Sequence, residues 1–362
     1  MGSAAAWQLA RRGIEVVLLE RFEPGHANGA SHGSSRIFRT SYAEPVYVSL
    51  AREAEQLWRE LEADSASELL TITGGVDHGT GPWVDATAET LDTMGLPYQW
   101  LVPQEAAQRW PGLRFEGRVL FHPGSGRIHA DRAVAALQKA AVTHGAEVRH
   151  RSPVIAIDLL SDSRVRVTTD DGHIEARRVV VAAGAWAGDV LGDLVPLPPI
   201  TVTQEQPAHF LPYHADTSWP SFTHQPDVGA RGSSRFGGVY GLSSGPEGVK
   251  VGFHGTGPRV HPDRRDFLPE LEQLAALREY VRHWLPGVDA DATTPISCTY
   301  ATTPDSNFVI DRVGPVVVAA GFSGHGFKFV PAVGRLLADL TADQRASTLF
   351  SFHHHAAQEA IA

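Results

Sequence analysis

Sulfur is scarce in this sequence. A single cysteine, Cys298, stands among 362 residues, which excludes an intrachain disulfide and makes the reducing cytoplasm the expected compartment. Positive charge is not in excess either. With 31 Lys and Arg against 41 Asp and Glu the formal charge is -10, and no nucleic-acid partner is expected, because phosphate binding needs a clustered cationic surplus. No run approaches the ~20 apolar residues of a membrane span, so none is expected. The apolar run at 14–19 is too short and, with Glu15, too acidic for an export signal. No metal is expected, since His353, His354 and His355 read as a solvated tail with no other ligand spacing beside them.

What is present suits a globular chain of about two domains, with 43% hydrophobic and 20% charged residues. Residues 4–10 favour helix, Gly13 stops it, and 15–19 reads as a buried strand, the second half of a βαβ unit. A second helix is expected over 46–61, with Leu50, Ala54, Leu57, Trp58 and Leu61 on one face. A third is expected from Asp131 as N-cap to Gly145 as stop. Residues 154–183 read as a β-meander turning at Asp170-Asp171-Gly172, with 179–183 fully buried. Residues 315–320 read as another buried strand, followed by a helix over 331–340. Strand, glycine and helix thus recur three times, which is an α/β pattern. Segments 73–127 and 201–297, richer in aromatics, prolines and antiparallel patterning, read as one substrate domain inserted twice. The host would be a discontinuous nucleotide-binding domain of 1–72, 128–200 and 298–362.

Gly2 opens a helix and Glu20 ends the following strand. That is the spacing between the last glycine of a dinucleotide fingerprint and the acid that binds a ribose hydroxyl. The earlier glycines are absent, as is the strand before them, and an Ala-rich helix ending at a surface glutamate is the plainer alternative. A denser signal is Gly321-Phe322-Ser323-Gly324-His325-Gly326-Phe327-Lys328-Phe329. Its three glycines let backbone approach a flat ligand, and the helix that follows supplies N–H groups and positive potential. In Lys250-Val251-Gly252-Phe253-His254 the alternation puts Lys250, Gly252 and His254 on one strand face, with Tyr240 on the partner strand of a hairpin turning near Ser244-Gly245-Pro246. An ordinary edge strand is the alternative. Arg36 and Arg39 concentrate cations in an acidic chain, and either suits a carboxylate; on a helical turn they share a face, on a strand they point apart. Cys298 is by default a small buried hydrophobe, and it becomes a nucleophile only where the fold gathers cations around it.

Four stretches, Ser31-His32-Gly33 with Arg36-Ile37 and Arg39, then Lys250 to His254, Cys298-Thr299-Tyr300, and Gly321 to Phe329, resemble the monomeric sarcosine oxidase and N-methyltryptophan oxidase family of D-amino acid oxidase type, in the same order and over nearly the whole chain. The resemblance implies a Rossmann-like FAD-binding domain with an inserted antiparallel-sheet α+β substrate domain. It implies that a secondary amine amino acid is oxidised to an imine while oxygen becomes hydrogen peroxide, by a monomer. Carried over by position, Cys298 would form a thioether to the 8α-methyl of FAD. Arg39 and Lys328 would grip the substrate carboxylate, and Lys250 would sit where oxygen is reduced. His254 and Tyr240 would line the substrate pocket, and His32 and Arg36 would lie against the flavin. Gly2, Glu20, Gly321, Gly324, His325 and Gly326 complete the expected cofactor set. Family members begin with a strand and two further glycines, whereas Met1 here falls just before the last glycine, so the central strand is missing from the expected sheet. Oxidation or dehydrogenation of cyclic imino acids is the closer alternative, and a flavin-free binding fragment the more distant one.

Overall fold

The computed structural model describes residues 1–215, 217–227, 229, 235–344 and 347–359. The first helix, Gly2–Ala10, is short-chained on the faces it buries: Ala4, Ala5, Ala6 and Ala10 pack with Trp7 against helices Ala130–Thr143 and Val330–Thr341, which in turn pack on Pro45–Ser65. Small residues allow the close approach. A Cβ on Gly334 would stand 2.6 Å from the Ala4 carbonyl carbon, so these two helices cross nearly backbone to backbone. The expected stripe on Pro45–Ser65 is the buried one, with Leu50, Ala54, Trp58 and Leu61 inside and Leu57 partly so.

Two parallel strand pairs flank this helix as separate sheets. Val17–Leu19 pairs with Glu147–Arg149, and Val179–Val181 pairs with Val316–Ala320, which also carries the antiparallel Val309–Val313. The meander Val154–Ser161, Arg164–Thr169, Gly172–Ala176 forms its own three-stranded sheet, so Val179–Val181 is not its fourth strand; nor is 179–183 fully buried as expected, since only Val181 is buried and its neighbours are half-buried. The third helix begins two residues earlier than expected. His129 is its N-cap, accepting from the Arg132 amide, which frees Asp131 to accept from the Gly33 amide at 2.7 Å.

An eight-stranded sheet draws every strand from 75–122 and 208–295. Its order is Val288–Pro295, Ala208–Pro212, Val249–Phe253, Val239–Ser243, Ser221–Gln225, Gly75–Gly79, Val119–His122, Gln99–Leu101, and only Ser221–Gln225 with Gly75–Gly79 is parallel. Val249–Phe253 lies inside this sheet, which overturns the edge-strand alternative for Lys250 and explains why all five of its residues are buried. A two-stranded ladder, Thr201–Glu205 with Cys298–Thr302, leads from this sheet back to the Val309–Val313 strand.

The C-terminal histidines are not a solvated tail. On the helix Phe352–Glu359, His355 is buried with Nε2 3.0 Å from the Phe308 carbonyl, and His354 lies 3.0 Å from Asp305; only His353 is exposed. Among the described residues no helix is long and apolar enough to cross a membrane, and no cluster of three or more His, Cys, Asp or Glu could hold a metal ion.

Candidate active site

A cavity of about 2190 Å³ runs between the two parallel pairs, past the start of the first helix, to the face of the large sheet. It exceeds the few hundred to ~1,000 Å³ of an ordinary small-ligand pocket, and is large enough for a dinucleotide with a substrate beside it. All fourteen residues expected to touch cofactor or substrate line it: Gly2, Glu20, His32, Arg36, Arg39, Tyr240, Lys250, His254, Cys298, Gly321, Gly324, His325, Gly326 and Lys328.

Local structure explains each position. Arg36 opens the strand Arg36–Phe38 and Arg39 follows it, so extended backbone sends them apart: Arg36 Nη2 comes to 3.8 Å from Cys298 Sγ, and Arg39 turns to Asp77 and over the Tyr42 ring. Cys298 is 8% exposed at the start of its strand, and Lys250 and Arg265 are close enough to interact electrostatically with its sulfur. The cations that a reactive thiol requires are thus gathered by the fold. Tyr240 pairs with Gly252 in the hairpin, and a side chain at Gly252 would touch the Tyr240 ring at 3.0 Å, so the glycine leaves room for the phenol. Gly321 and Gly324 adopt φ of +61° and +75°, and a Cβ on either would collide with Thr303 or the Tyr300 ring.

Burial sets the charges. Lys250 is 6% exposed, its Nζ donates to the Ser35 carbonyl at 3.2 Å, and desolvation followed by Arg36 lowers its pKa to about 7. Lys328 is 5% exposed and donates to the Tyr42 hydroxyl at 2.8 Å and the His325 carbonyl at 2.7 Å; burial, then Arg39, holds it well below the usual lysine range. His254 presents its ring to the cavity, 3.5 Å from the Tyr300 hydroxyl. Withdrawal from bulk water, then Arg39 and Lys328, pushes it down to about 4. Burial first, then Arg36, Lys250 and Arg265, takes His32 to about 3, so both rings are neutral at pH 7.

One wall group has hydrogen-bonding capacity that the protein does not use. His32 Nε2 is buried without a partner, a costly arrangement unless a ligand satisfies it. The first helix points its N-terminal end, Met1 to Ser3, into the cavity, and Glu20 stands at the end of the adjacent strand accepting from the Phe22 amide at 3.0 Å. These residues fit an extended anionic cofactor with a planar head such as FAD.

Sequence reasoning missed Asp77, His122, Thr223, Tyr42 and Arg265. The signal for the first was a carboxylate and imidazole inside the strand Gly75–Gly79, whose first four residues are all buried. His122 and Thr223 carry no local signal, because only strand register brings them to Asp77.

Comparison with known proteins agrees with this geometry. Residues 1–340 match the profile described as FAD dependent oxidoreductase, DAO. A monomeric sarcosine oxidase of Bacillus sp. (strain NS-129) is 33% identical, with 94% of this chain and 90% of that protein covered. An N-methyl-L-tryptophan oxidase of Yersinia pestis is 29% identical over 95% and 93%. Among solved structures, NikD, an unusual amino acid oxidase essential for nikkomycin biosynthesis, superposes with a TM-score of 0.84 at 27% identity, covering 96% of this chain and 94% of that one.

Proposed function

Since this chain belongs to the FAD dependent oxidoreductase family, DAO, and is an FAD-dependent amine oxidoreductase, we propose that it oxidises a secondary amine amino acid, sarcosine or another N-methyl amino acid, with oxygen as acceptor. The observation that carries the reading is the meeting of Arg39 and Lys328 in the same cavity as Lys250 and Cys298. Two cations suited to a carboxylate thereby share a chamber with a lysine and a thiol suited to a flavin.

FAD bound here would supply two-electron chemistry, taking a C–H bond's electrons from the amine and passing them to oxygen to leave imine and hydrogen peroxide. Gly2 at the helix N-terminus and Glu20 would hold its ADP half. His32, Arg36, Gly321, Gly324, His325 and Gly326 would enclose the ring, and Cys298 would be its point of covalent attachment. Arg39 and Lys328 hold the substrate carboxylate while Tyr240 and His254 form the walls beside the amine. Such orientation contributes roughly 7–11 kcal/mol in favourable cases. Lys250 offers a positive charge where oxygen takes up electrons. In this reading 1–72, 128–200 and 298–362 form the cofactor domain and 73–127 and 201–297 the substrate domain of a cytoplasmic monomer.

The test is Lys328→Met. Loss of a charged hydrogen bond of about 1.5–3 kcal/mol lowers kcat/KM for sarcosine by roughly 10–100-fold. For an N-methyl amine without a carboxylate the loss should nearly vanish. Steady-state peroxide assays with both substrates measure it, and equal losses would count against carboxylate binding at Lys328.

A further inference from the structure

The corner that holds Arg39 also holds an acid for which the reaction above has no use. Asp77, the third residue of Gly75–Gly79, is 1% exposed. Its Oδ1 accepts from Arg39 Nη1 at 3.3 Å and from the Thr223 hydroxyl, and its Oδ2 accepts from His122 Nε2 at 3.0 Å. The other nitrogen of His122 is bonded to the Ser125 hydroxyl, which fixes the ring. Strand register puts Asp77, Thr223, Tyr240 and Gly252 in one row across the sheet, so the acid stands two strands from the phenol of the substrate wall.

We propose that Asp77 is a specificity-determining residue: by pairing with Arg39 it discharges the carboxylate-binding corner, so that secondary amines bearing a neutral polar group, such as an amide, are accepted beside those bearing a carboxylate. This rests on the reading that Arg39 binds the substrate carboxylate. A substrate anion on Arg39 would be the second carboxylate on one guanidinium, and two like charges at that separation repel. Burial alone would raise Asp77, but His122, Arg39 and Thr223 more than offset it and keep the acid ionised. Tyr42 and His78 also feel Asp77, and neither brings a compensating cation, since His78 is held neutral by burial. Lys328 faces Arg39, with its own charge weakened by burial.

Asp77→Asn is nearly isosteric, and its amide can keep the Thr223 and His122 bonds with the imidazole in its other tautomer. Acetate and acetamide binding to the holoenzyme, read by calorimetry, should show acetate about tenfold tighter in Asp77→Asn and acetamide within about twofold of the wild type. Asp77→Glu, which keeps the charge, should return acetate to within about threefold of the wild type. Acetate binding that is unchanged or weaker in Asp77→Asn overturns the proposal, as a purely structural role would give. Should that variant not fold, the wild type decides: a preference for acetate over acetamide below about tenfold supports a discharged corner, and a larger one overturns it. Arg39→Met separates the two layers. If it leaves acetate affinity intact, the reading of Arg39 falls and this inference with it; if acetate depends on Arg39 but ignores the Asp77 charge, only the inference falls.

Discussion

Lys250→Met slows the oxygen-consuming step by on the order of a hundredfold or more while leaving anaerobic reduction by substrate within about threefold, because one preorganised charge at a developing anion carries that much. Lys250 is positioned for such a role. Interior placement in the large sheet fixes the backbone, the Ser35 carbonyl fixes the ammonium, and the side chain lines the cavity within electrostatic reach of Cys298. The lowered pKa supplies a sign. With a value near 7 the ammonium is fully present below that pH and is lost as pH rises through it, so the oxygen step should be fastest below about pH 7 and decline above it. In Lys250→Met this dependence should disappear. Stopped-flow mixing of the substrate-reduced enzyme with oxygen at several pH values measures both effects, and equal slowing of the two half-reactions would count against the assignment.

Cys298→Ser should change flavin retention from complete to none after denaturation. The wild-type chain, unfolded in acid or detergent, should keep its yellow colour, since the thioether survives loss of the cavity; the serine variant should release all of it. The physical ground is the gathering of Arg36, Lys250 and Arg265 about the sulfur. Sulfur in that position is a nucleophile that a serine hydroxyl cannot match. Fluorescence of the denatured chain on a gel decides the matter, and colour retained by Cys298→Ser would refute the attachment site.

The parts of this site readable from sequence are those whose chemistry is local. Gly321 to Gly326 announce a close backbone approach because no side chain is tolerated at positive φ against Tyr300 and Thr303. Lys250 and His254 are found by strand alternation, and Leu50, Ala54, Trp58 and Leu61 by helical spacing. Asp77, His122 and Thr223 are far apart in sequence and meet only because Gly75–Gly79 lies between Ser221–Gln225 and Val119–His122. No periodicity encodes that register. The C-terminal histidines were misread for a related reason: His354 and His355 are held by Asp305 and the Phe308 carbonyl, partners invisible to local composition. The choice between helix and strand for Arg36 and Arg39 also waited on the fold, since pairing of Arg36–Phe38 with Gly126–Ile128 is what sends the two guanidinium groups to different ends of the site.

The most direct trial is anaerobic addition of sarcosine, or another N-methyl amino acid, to the purified yellow protein. Bleaching of the flavin absorbance, then its return on admitting air with about one equivalent of hydrogen peroxide per flavin, is the expected result. A colourless protein, or a yellow one that no secondary amino acid bleaches, would contradict it.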